Sequence, residues 1–200
     1  MATSPSFVFA IDLDGVTLWY VKALKAVVEE AFGMEPDSLT YDHDWWFTEW
    51  GITKDNFLHF HNELAIERRG LRTLEPIEGA VEALWRLSDA GVWNRILTHR
   101  LILPGQHHTL AGDTVYSLEA NNIPYRDLCF MEAKADLGAN IYVDDAPHNI
   151  EALQAVGKEV IIFDQPYNRH VEGLRAKGWG EVEAIVMDRF EAWKSGEAYV

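Results

Sequence analysis

Short apolar runs alternate with longer segments of helical periodicity along most of the chain. Residues 7–11 are rich in aromatic and β-branched side chains, a composition typical of a buried strand. Similar runs predict further strands over 92–98, 127–131, 140–143 and 160–163. Apolar residues at helical spacing predict helices over 16–32, 80–90, 109–121, 147–156 and 182–193. Because strands alternate with helices, we expect an α/β fold, a parallel sheet with helices on both of its faces.

One segment, between about residue 35 and residue 74, breaks this pattern. It contains many aromatic and charged side chains and no strand-like alternation, so we interpret it as a small helical insertion. We expect residues 16–76 to form a helical cap inserted after the first strand. The α/β core then comprises residues 1–15 and 77–200.

Composition and charge narrow the classes of protein to which the chain can belong. Its 200 residues are 48% hydrophobic and 24% charged, as in an ordinary globular domain. Lys and Arg number 17 against 32 Asp and Glu, and the formal net charge of -15 argues against stable binding to nucleic acid or to an anionic membrane surface. With one cysteine, Cys129, no disulfide can form within the chain. Since we find neither a signal peptide nor an apolar run of about 20 residues, we expect a cytoplasmic protein.

Two of the predicted strands lead into paired carboxylates. Asp12-Leu-Asp-Gly15 follows the first strand, and Asp144-Asp145 follows the strand over 140–143. Ligands of open α/β sheets bind beyond the carboxyl ends of the strands, where residues two apart project to the same side. Acidic side chains gathered there repel one another unless a cation or a proton intervenes. Each motif alone also fits a simpler interpretation: a turn rich in Asp and Gly for the first, and a helix N-terminus for the second.

Two further polar residues fall near strand ends. Thr98 closes the strand over 92–98 and precedes His99 and Arg100, and Lys134 lies in the segment that leads to Asp144. A strand-end hydroxyl followed by backbone N–H groups can hold a phosphate. Taken singly, an ordinary strand-end threonine and a solvated surface lysine would look the same.

In this order, the four features resemble the signature of the haloacid dehalogenase (HAD) superfamily of phosphohydrolases. The resemblance covers residues 6–15 and 77–165, and it implies a Rossmann-like core with a helical cap that closes over the site. Mg²⁺ prefers oxygen ligands, which Asp12, the backbone carbonyl of Asp14 and one of Asp144 and Asp145 could supply. Similarity to the nucleotidases of the superfamily favours Asp145, with Asp144 orienting Lys134 or a metal-bound water.

The same residue types suit phosphoryl transfer. A carboxylate of Asp12 can attack phosphorus and form an aspartyl-phosphate, while Asp14 acts first as general acid and then as general base. Thr98 and Lys134 would hold the phosphoryl oxygens and offset charge in the transition state. We therefore expect a Mg²⁺-dependent phosphomonoesterase.

A narrower resemblance concerns the substrate. The segments 12–16 and 74–81, and the position of Tyr20 eight residues after Asp12, are similar to the 5'(3')-deoxyribonucleotidase family. That family implies hydrolysis of nucleoside monophosphates, with aromatic residues of the cap around the base. On this analogy the substrate-binding residues are Tyr20, Trp45, Trp46, Phe47, Thr98, His99 and Lys134. The chain departs from the family at His99 and Arg100, where small or hydroxyl residues are usual.

Other interpretations stay open. The cap aromatics could form the cap's own core instead of a base site. A phosphatase of the same core could act on sugar phosphates or polynucleotide 3' ends, although the aromatic cap weakens the first version and the acidic charge weakens the second. A third hypothesis is a catalytically silent nucleotide-binding module. The intact acidic and phosphate-binding residues argue against it, namely Asp12, Asp14, Thr98, Lys134 and Asp145. The oligomeric state is open, with a homodimer as one option.

Four histidines, His59, His61, His107 and His108, are not expected to hold a metal ion. Adjacent residues diverge on a helix and no partner shows metal-ligand spacing, so we expect His107 and His108 to lie in a solvated loop. We expect His59 and His61, in the cap, to be structural or surface groups.

Overall fold

The computed structural model describes residues 6–42, 45 and 47–196. In that part of the chain six strands form one parallel sheet in the order β3-β2-β1-β4-β5-β6. The strands are β1 (Val8–Ile11), β2 (Trp93–Thr98), β3 (Asp127–Phe130), β4 (Ile141–Asp144), β5 (Val160–Phe163) and β6 (Arg175–Ala176). The helices are α1 (Tyr20–Ala31), α2 (Lys54–Asn62), α3 (Ala80–Ala90), α4 (His107–Ala120), α5 (Pro147–Ala155) and α6 (Trp179–Ser195). None of the described helices combines the length and the apolar character needed to cross a bilayer.

Apolar clusters cover both faces of the sheet, as predicted. Phe9 and Ile11 in β1 join the larger cluster, whereas Ala10 between them joins a smaller one with Tyr142 and Ile150. This division follows from the alternation of side chains along a strand. Every residue of β4 and β5 is buried. Because both faces of these strands are covered, their sequences are mostly apolar instead of alternating between apolar and polar residues.

The strand order reverses at β1, which pairs with β2 on one side and with β4 on the other. Ile11 is in register with Ile96 of β2 and with Val143 of β4. The residues that follow these positions, Asp12 and Asp144, therefore emerge at the same edge of the sheet. This reversal is the point at which open α/β sheets bind their ligands.

Between β1 and α3, the described residues form helices and short helical turns but no strand. Besides α1 and α2 there are short helical turns at Thr48–Trp50, Glu63–Glu67 and Gly70–Arg72. The last of these packs on α4, where Arg69 and Arg72 both pair with the fully buried Asp113. These ion pairs tie the C-terminal end of the inserted segment to the core.

α1 begins at Tyr20, four residues later than the helical spacing predicts. Gly15 adopts a φ of 89°, and the amides of Thr17 and Leu18 both donate to the carbonyl of Leu13. Because these residues form a tight turn, the backbone after β1 cannot enter a helix directly.

Two other differences from the prediction are local. α4 begins at His107, so His107 and His108 lie exposed on its first turn and not in a loop. β6 was not predicted, because it contains two residues and no apolar run. Its strand conformation comes from pairing with β5, with Ile162 opposite Arg175.

Candidate active site

Three carboxylates meet at the edge where the strand order reverses. Asp12 follows β1, Asp144 ends β4, and Asp145 is the next residue along the chain. Each offers an oxygen within 4.8 Å of the others, and all three side chains are buried. The acidic motifs from distant parts of the sequence thus form one cluster.

Lys134 lies on a helical turn after β3 and inserts its ammonium into this cluster. Nζ donates to Asp12 Oδ1 at 2.6 Å and to Asp144 Oδ2 at 2.7 Å. Burial alone would lower the pKa of Lys134, but the charges of Asp12 and Asp144 outweigh it and raise that pKa. The ammonium therefore stays charged and joins the ends of β1 and β4.

One ammonium does not neutralise three carboxylates. Burial raises the pKa of Asp12 from 3.8 to about 7, opposed by Lys134 and reinforced by the charges of Asp144 and Asp14. Burial also raises the pKa of Asp145 well above its usual range, and repulsion from Asp12 and Asp144 adds to this. When ionised, the three carboxylates and the lysine carry a net charge of two negative units, which a divalent cation would balance.

The two neighbouring aspartates of this cluster have different partners. Asp144 is fully engaged: it accepts hydrogen bonds from Lys134, from the amide of Ala146 at 3.0 Å and from Asn149. Asp145 accepts a bond from the Tyr167 hydroxyl through Oδ2, and its buried Oδ1 has no partner among the described residues. An all-oxygen donor set with one buried oxygen left open fits Mg²⁺, and it favours Asp145 over Asp144 as the ligand.

Glycine is required at position 15 for two reasons: its positive φ in the turn after β1 and the lack of space for a side chain next to the carboxylate cluster. A Cβ placed on Gly15 would collide with the carboxylate of Asp145. The Gly15 carbonyl accepts a hydrogen bond of 2.7 Å from Gln165, which fixes the turn from the far side of the site.

Arg100 holds Asp14 in place. In the sequence, Arg100 stood out only because small or hydroxyl residues are usual at that position in the deoxyribonucleotidase family. Arg100 donates to both carboxylate oxygens of Asp14, at 2.8 and 2.6 Å, and also to Thr114 Oγ1 at 3.2 Å. Its side chain is only 1% exposed. Because a bidentate pair of this kind restricts both partners, Arg100 determines the orientation of Asp14.

The predicted phosphate-binding residues lie around the same space. Thr98, the last residue of β2, is buried and lines the pocket above Asp12, together with Lys134. His99, exposed overall, also lines it. The structure thus brings together every candidate from the α/β core.

Aromatic residues from the inserted segment form the walls of this pocket. Tyr20, Trp45 and Phe47 all line it. Phe47 also stacks on the buried Trp50, with ring centroids 4.5 Å apart and an interplanar angle of 14°. It therefore belongs partly to the core of the segment, as the alternative interpretation held. Trp45 lies edge-on to His148, with centroids 4.9 Å apart. Trp46 lies outside the described residues.

Several pocket residues were not found from the sequence. His61 was expected to be a structural or surface group, but it is buried, lines the pocket and bonds to Tyr20. Tyr167, Asn149 and His148 also line the pocket, and none belongs to a motif. These residues reach the pocket through contacts between distant parts of the chain, which the sequence does not show. Arg100 differs, because its departure from the family pattern directly after Thr98 could have identified it.

Comparison with known proteins gives a consistent result. Residues 6–191 match the family model described as "5' nucleotidase, deoxy (Pyrimidine), cytosolic type C protein". A "Putative 5'(3')-deoxyribonucleotidase" from Chlorobaculum tepidum is 38% identical over 182 residues, which cover 90% of this chain and 90% of the relative.

Solved structures show the same fold at low sequence identity. A haloacid dehalogenase-like hydrolase from Streptococcus pneumoniae matches with a TM-score of 0.60 and 14% identity, over 90% of this chain and 98% of its own. A phosphonoacetaldehyde hydrolase-like protein from Oleispira antarctica matches with a TM-score of 0.59 and 12% identity, over 98% and 96% of the two chains. The Rossmann-like HAD fold is therefore established independently of the family match. With a family model spanning nearly the whole chain and acidic motifs gathered at the switch point of a HAD fold, the chain belongs to the deoxy (pyrimidine), cytosolic type C family of 5'-nucleotidases and is a phosphoric monoester hydrolase.

Proposed function

We propose that the protein hydrolyses nucleoside 5'-monophosphates with Mg²⁺, through an aspartyl-phosphate formed on Asp12. One observation carries this proposal: the buried cluster of Asp12, Asp145 and Lys134 lies at the floor of a pocket whose walls are aromatic. The floor suits a phosphate and a divalent cation, and the walls suit a planar base.

In the first step a carboxylate oxygen of Asp12 attacks phosphorus. The new Asp12–phosphorus bond forms as the bond from phosphorus to the 5'-oxygen breaks, and protonated Asp14 donates its proton to that leaving oxygen. Lys134, already 2.6 Å from Asp12, would offset the charge on the transferring phosphoryl oxygens, and Thr98 would donate a hydrogen bond to them.

In the second step water attacks the phosphorus of the aspartyl-phosphate. Asp14, now a carboxylate, takes a proton from that water, the Asp12–phosphorus bond breaks and inorganic phosphate leaves. Between the two steps Asp14 is negatively charged, and Arg100, which bonds to both of its oxygens, would stabilise it in that form. The cycle returns both aspartates to their starting states.

Mg²⁺ would be held by Asp12, the main-chain carbonyl of Asp14 and Asp145. Bound there, it would supply the positive charge that offsets both the carboxylate cluster and the dianionic phosphate. We further propose that residues 16–76 act as a cap, since this segment contributes Tyr20, Trp45 and Phe47 to the pocket above the catalytic floor. The description of the matching family as cytosolic supports a cytoplasmic site of action.

The test is a phosphate-release screen over nucleoside and sugar monophosphates, with Mg²⁺ and with a chelator. We expect release from nucleotides in Mg²⁺ only, and radiolabelled phosphate retained on the protein after acid quenching. Asp12→Asn should lower kcat by about 10⁴-fold or more, because the amide cannot act as the nucleophile. The exposed Asp89→Asn variant is the matched control and should retain full activity. Preferential hydrolysis of sugar phosphates, or substantial turnover by Asp12→Asn, would overturn the proposal.

A further inference from the structure

Among the described residues, His61 and Asp145 both line the pocket and each has a buried side-chain atom without a hydrogen-bond partner, and Asp145 is already accounted for as a candidate metal ligand. His61 belongs to α2, is 4% exposed and lines the pocket above the carboxylate cluster. Nε2 has no hydrogen-bond partner among the described residues. A buried ring nitrogen without a partner costs free energy, so this position in the pocket lining indicates a ligand that supplies one.

The other ring nitrogen is occupied. Nδ1 lies 2.7 Å from the hydroxyl of Tyr20, and it is the only partner for that hydroxyl among the described residues. Burial raises the pKa of Tyr20, so the hydroxyl keeps its proton and can donate it to Nδ1. With Nδ1 as the acceptor, the proton of a neutral imidazole lies on Nε2, which is then a donor without a partner among the described residues.

The imidazole is neutral under ordinary conditions. Burial lowers the pKa of His61 to about 4, with Asp14 acting to raise it and Arg100 to lower it. A neutral donor is poorly suited to the phosphate, which in the proposed mechanism binds among the charged side chains at the floor of the pocket. It suits a neutral oxygen of the substrate.

The position of His61 indicates which part of the nucleotide it would contact. Asp14 forms an isolated β-bridge with Leu18 in the turn that leads into α1, and Tyr20 is the first residue of α1, so the bonded pair of Tyr20 and His61 lies on the Asp14 side of the pocket. In the proposed mechanism Asp14 faces the leaving 5'-oxygen, and the atoms bonded to that oxygen are those of the sugar. Trp45, which lines the same pocket, would contact the base.

We infer that His61, oriented by Tyr20, donates a hydrogen bond from Nε2 to a sugar hydroxyl of the nucleotide and thereby determines the sugar preference of the enzyme. This inference rests on the proposed nucleotidase function and assigns a specificity-determining residue within it. A hydroxyl fits this position better than a carbonyl, because it can accept from Nε2 and still donate to a neighbour.

The experiment combines changes in the protein with changes in the substrate. kcat/KM is measured for wild type, His61→Phe and His61→Gln on a ribonucleotide, its 2'-deoxy and 2',3'-dideoxy counterparts, and p-nitrophenyl phosphate. His61→Phe should lower kcat/KM by about 10- to 100-fold on the nucleotide that carries the contacted hydroxyl, and hardly at all on the dideoxynucleotide or on p-nitrophenyl phosphate. His61→Gln keeps an N–H donor and should recover part of the loss. His59→Phe, on the exposed side of α2, is the control.

The outcomes separate this inference from the function on which it rests. If wild type hydrolyses nucleotides and His61→Phe lowers kcat/KM equally on the ribo, deoxy and dideoxy substrates, the contact is to the base and the inference is wrong. If p-nitrophenyl phosphate is affected as strongly as the nucleotides, His61 has only a structural role. If wild type releases phosphate from no nucleotide, the proposed function fails and the inference fails with it. Should His61→Phe unfold, which circular dichroism would show, the His61→Gln series decides on the same criteria.

Discussion

Replacing Lys134 by methionine tests the electrostatic design of the site. The lysine is buried and joins Asp12 and Asp144 through bonds of 2.6 and 2.7 Å. Methionine is of similar volume and can occupy the same space, so the change removes the charge without opening a large cavity. The carboxylates would then remain buried without the cation that bonds them.

The expected loss of stability follows from that geometry. Removing one partner of a buried ion pair costs about 3–5 kcal/mol, because the remaining charge stays desolvated. For a chain of this size, that loss corresponds to a decrease in Tm of about 6–20 °C. Turnover should also fall, by about 10²- to 10³-fold in kcat, because the same ammonium would no longer offset charge on the phosphoryl oxygens.

The assay is thermal unfolding in chelator and in excess Mg²⁺, together with hydrolysis of p-nitrophenyl phosphate. Excess Mg²⁺ should stabilise Lys134→Met, since a divalent cation balances the same carboxylates and ligand binding to the folded state raises Tm. The control is Lys177→Met, an exposed lysine whose replacement should change the free energy of unfolding by at most about 0.5 kcal/mol. If Lys134→Met unfolds in chelator at the wild-type temperature, the ammonium does not hold the acidic cluster together and the reasoning is refuted.

Three further predictions concern other parts of the pocket. Burial lowers the pKa of His61 from 6.5 to about 4, so on acidification the unfolded chain binds a proton at His61 before the folded chain does. The free energy of unfolding should therefore fall by about 3 kcal/mol as the pH drops from 6.5 to 4. His61→Phe should make the free energy of unfolding, measured by urea titration, depend less on pH over this range. An unchanged slope would contradict a buried neutral imidazole. Trp45→Ala should raise KM for nucleotides by about 5- to 100-fold and leave KM for p-nitrophenyl phosphate nearly unchanged, and equal effects would show that the ring serves only the core of the cap. Tyr167→Phe removes the hydroxyl that bonds to Asp145 and should weaken Mg²⁺ binding about 10-fold in calorimetry, whereas an unchanged Kd would show that this hydroxyl does not position the ligand.

The sequence alone determined the architecture and the floor of the site. Helix α3 has the predicted bounds, Ala80–Ala90, because glycines with positive φ flank it and its apolar residues recur at helical spacing. The acidic motifs at Asp12 and Asp144 could be placed because parallel strands bring their carboxyl ends to one edge. Both inferences depend on periodicity and backbone conformation, which are local properties of the chain.

Only the tertiary structure decided what surrounds that floor. Arg100 bonds to Asp14 across 86 residues of sequence, and Tyr20 bonds to His61 across 41. The sequence marks Tyr20 by its spacing from Asp12 and Arg100 as a departure from the family pattern, but it does not show the partner of either side chain, since each acquires its partner when separate elements pack together. The same holds for Asp145, whose Oδ2 accepts from the hydroxyl of Tyr167, a residue that lies beyond the end of β5. Long-range packing thus determines which polar atoms are left without a partner, and in the proposed mechanism those atoms would bind the cation and the substrate.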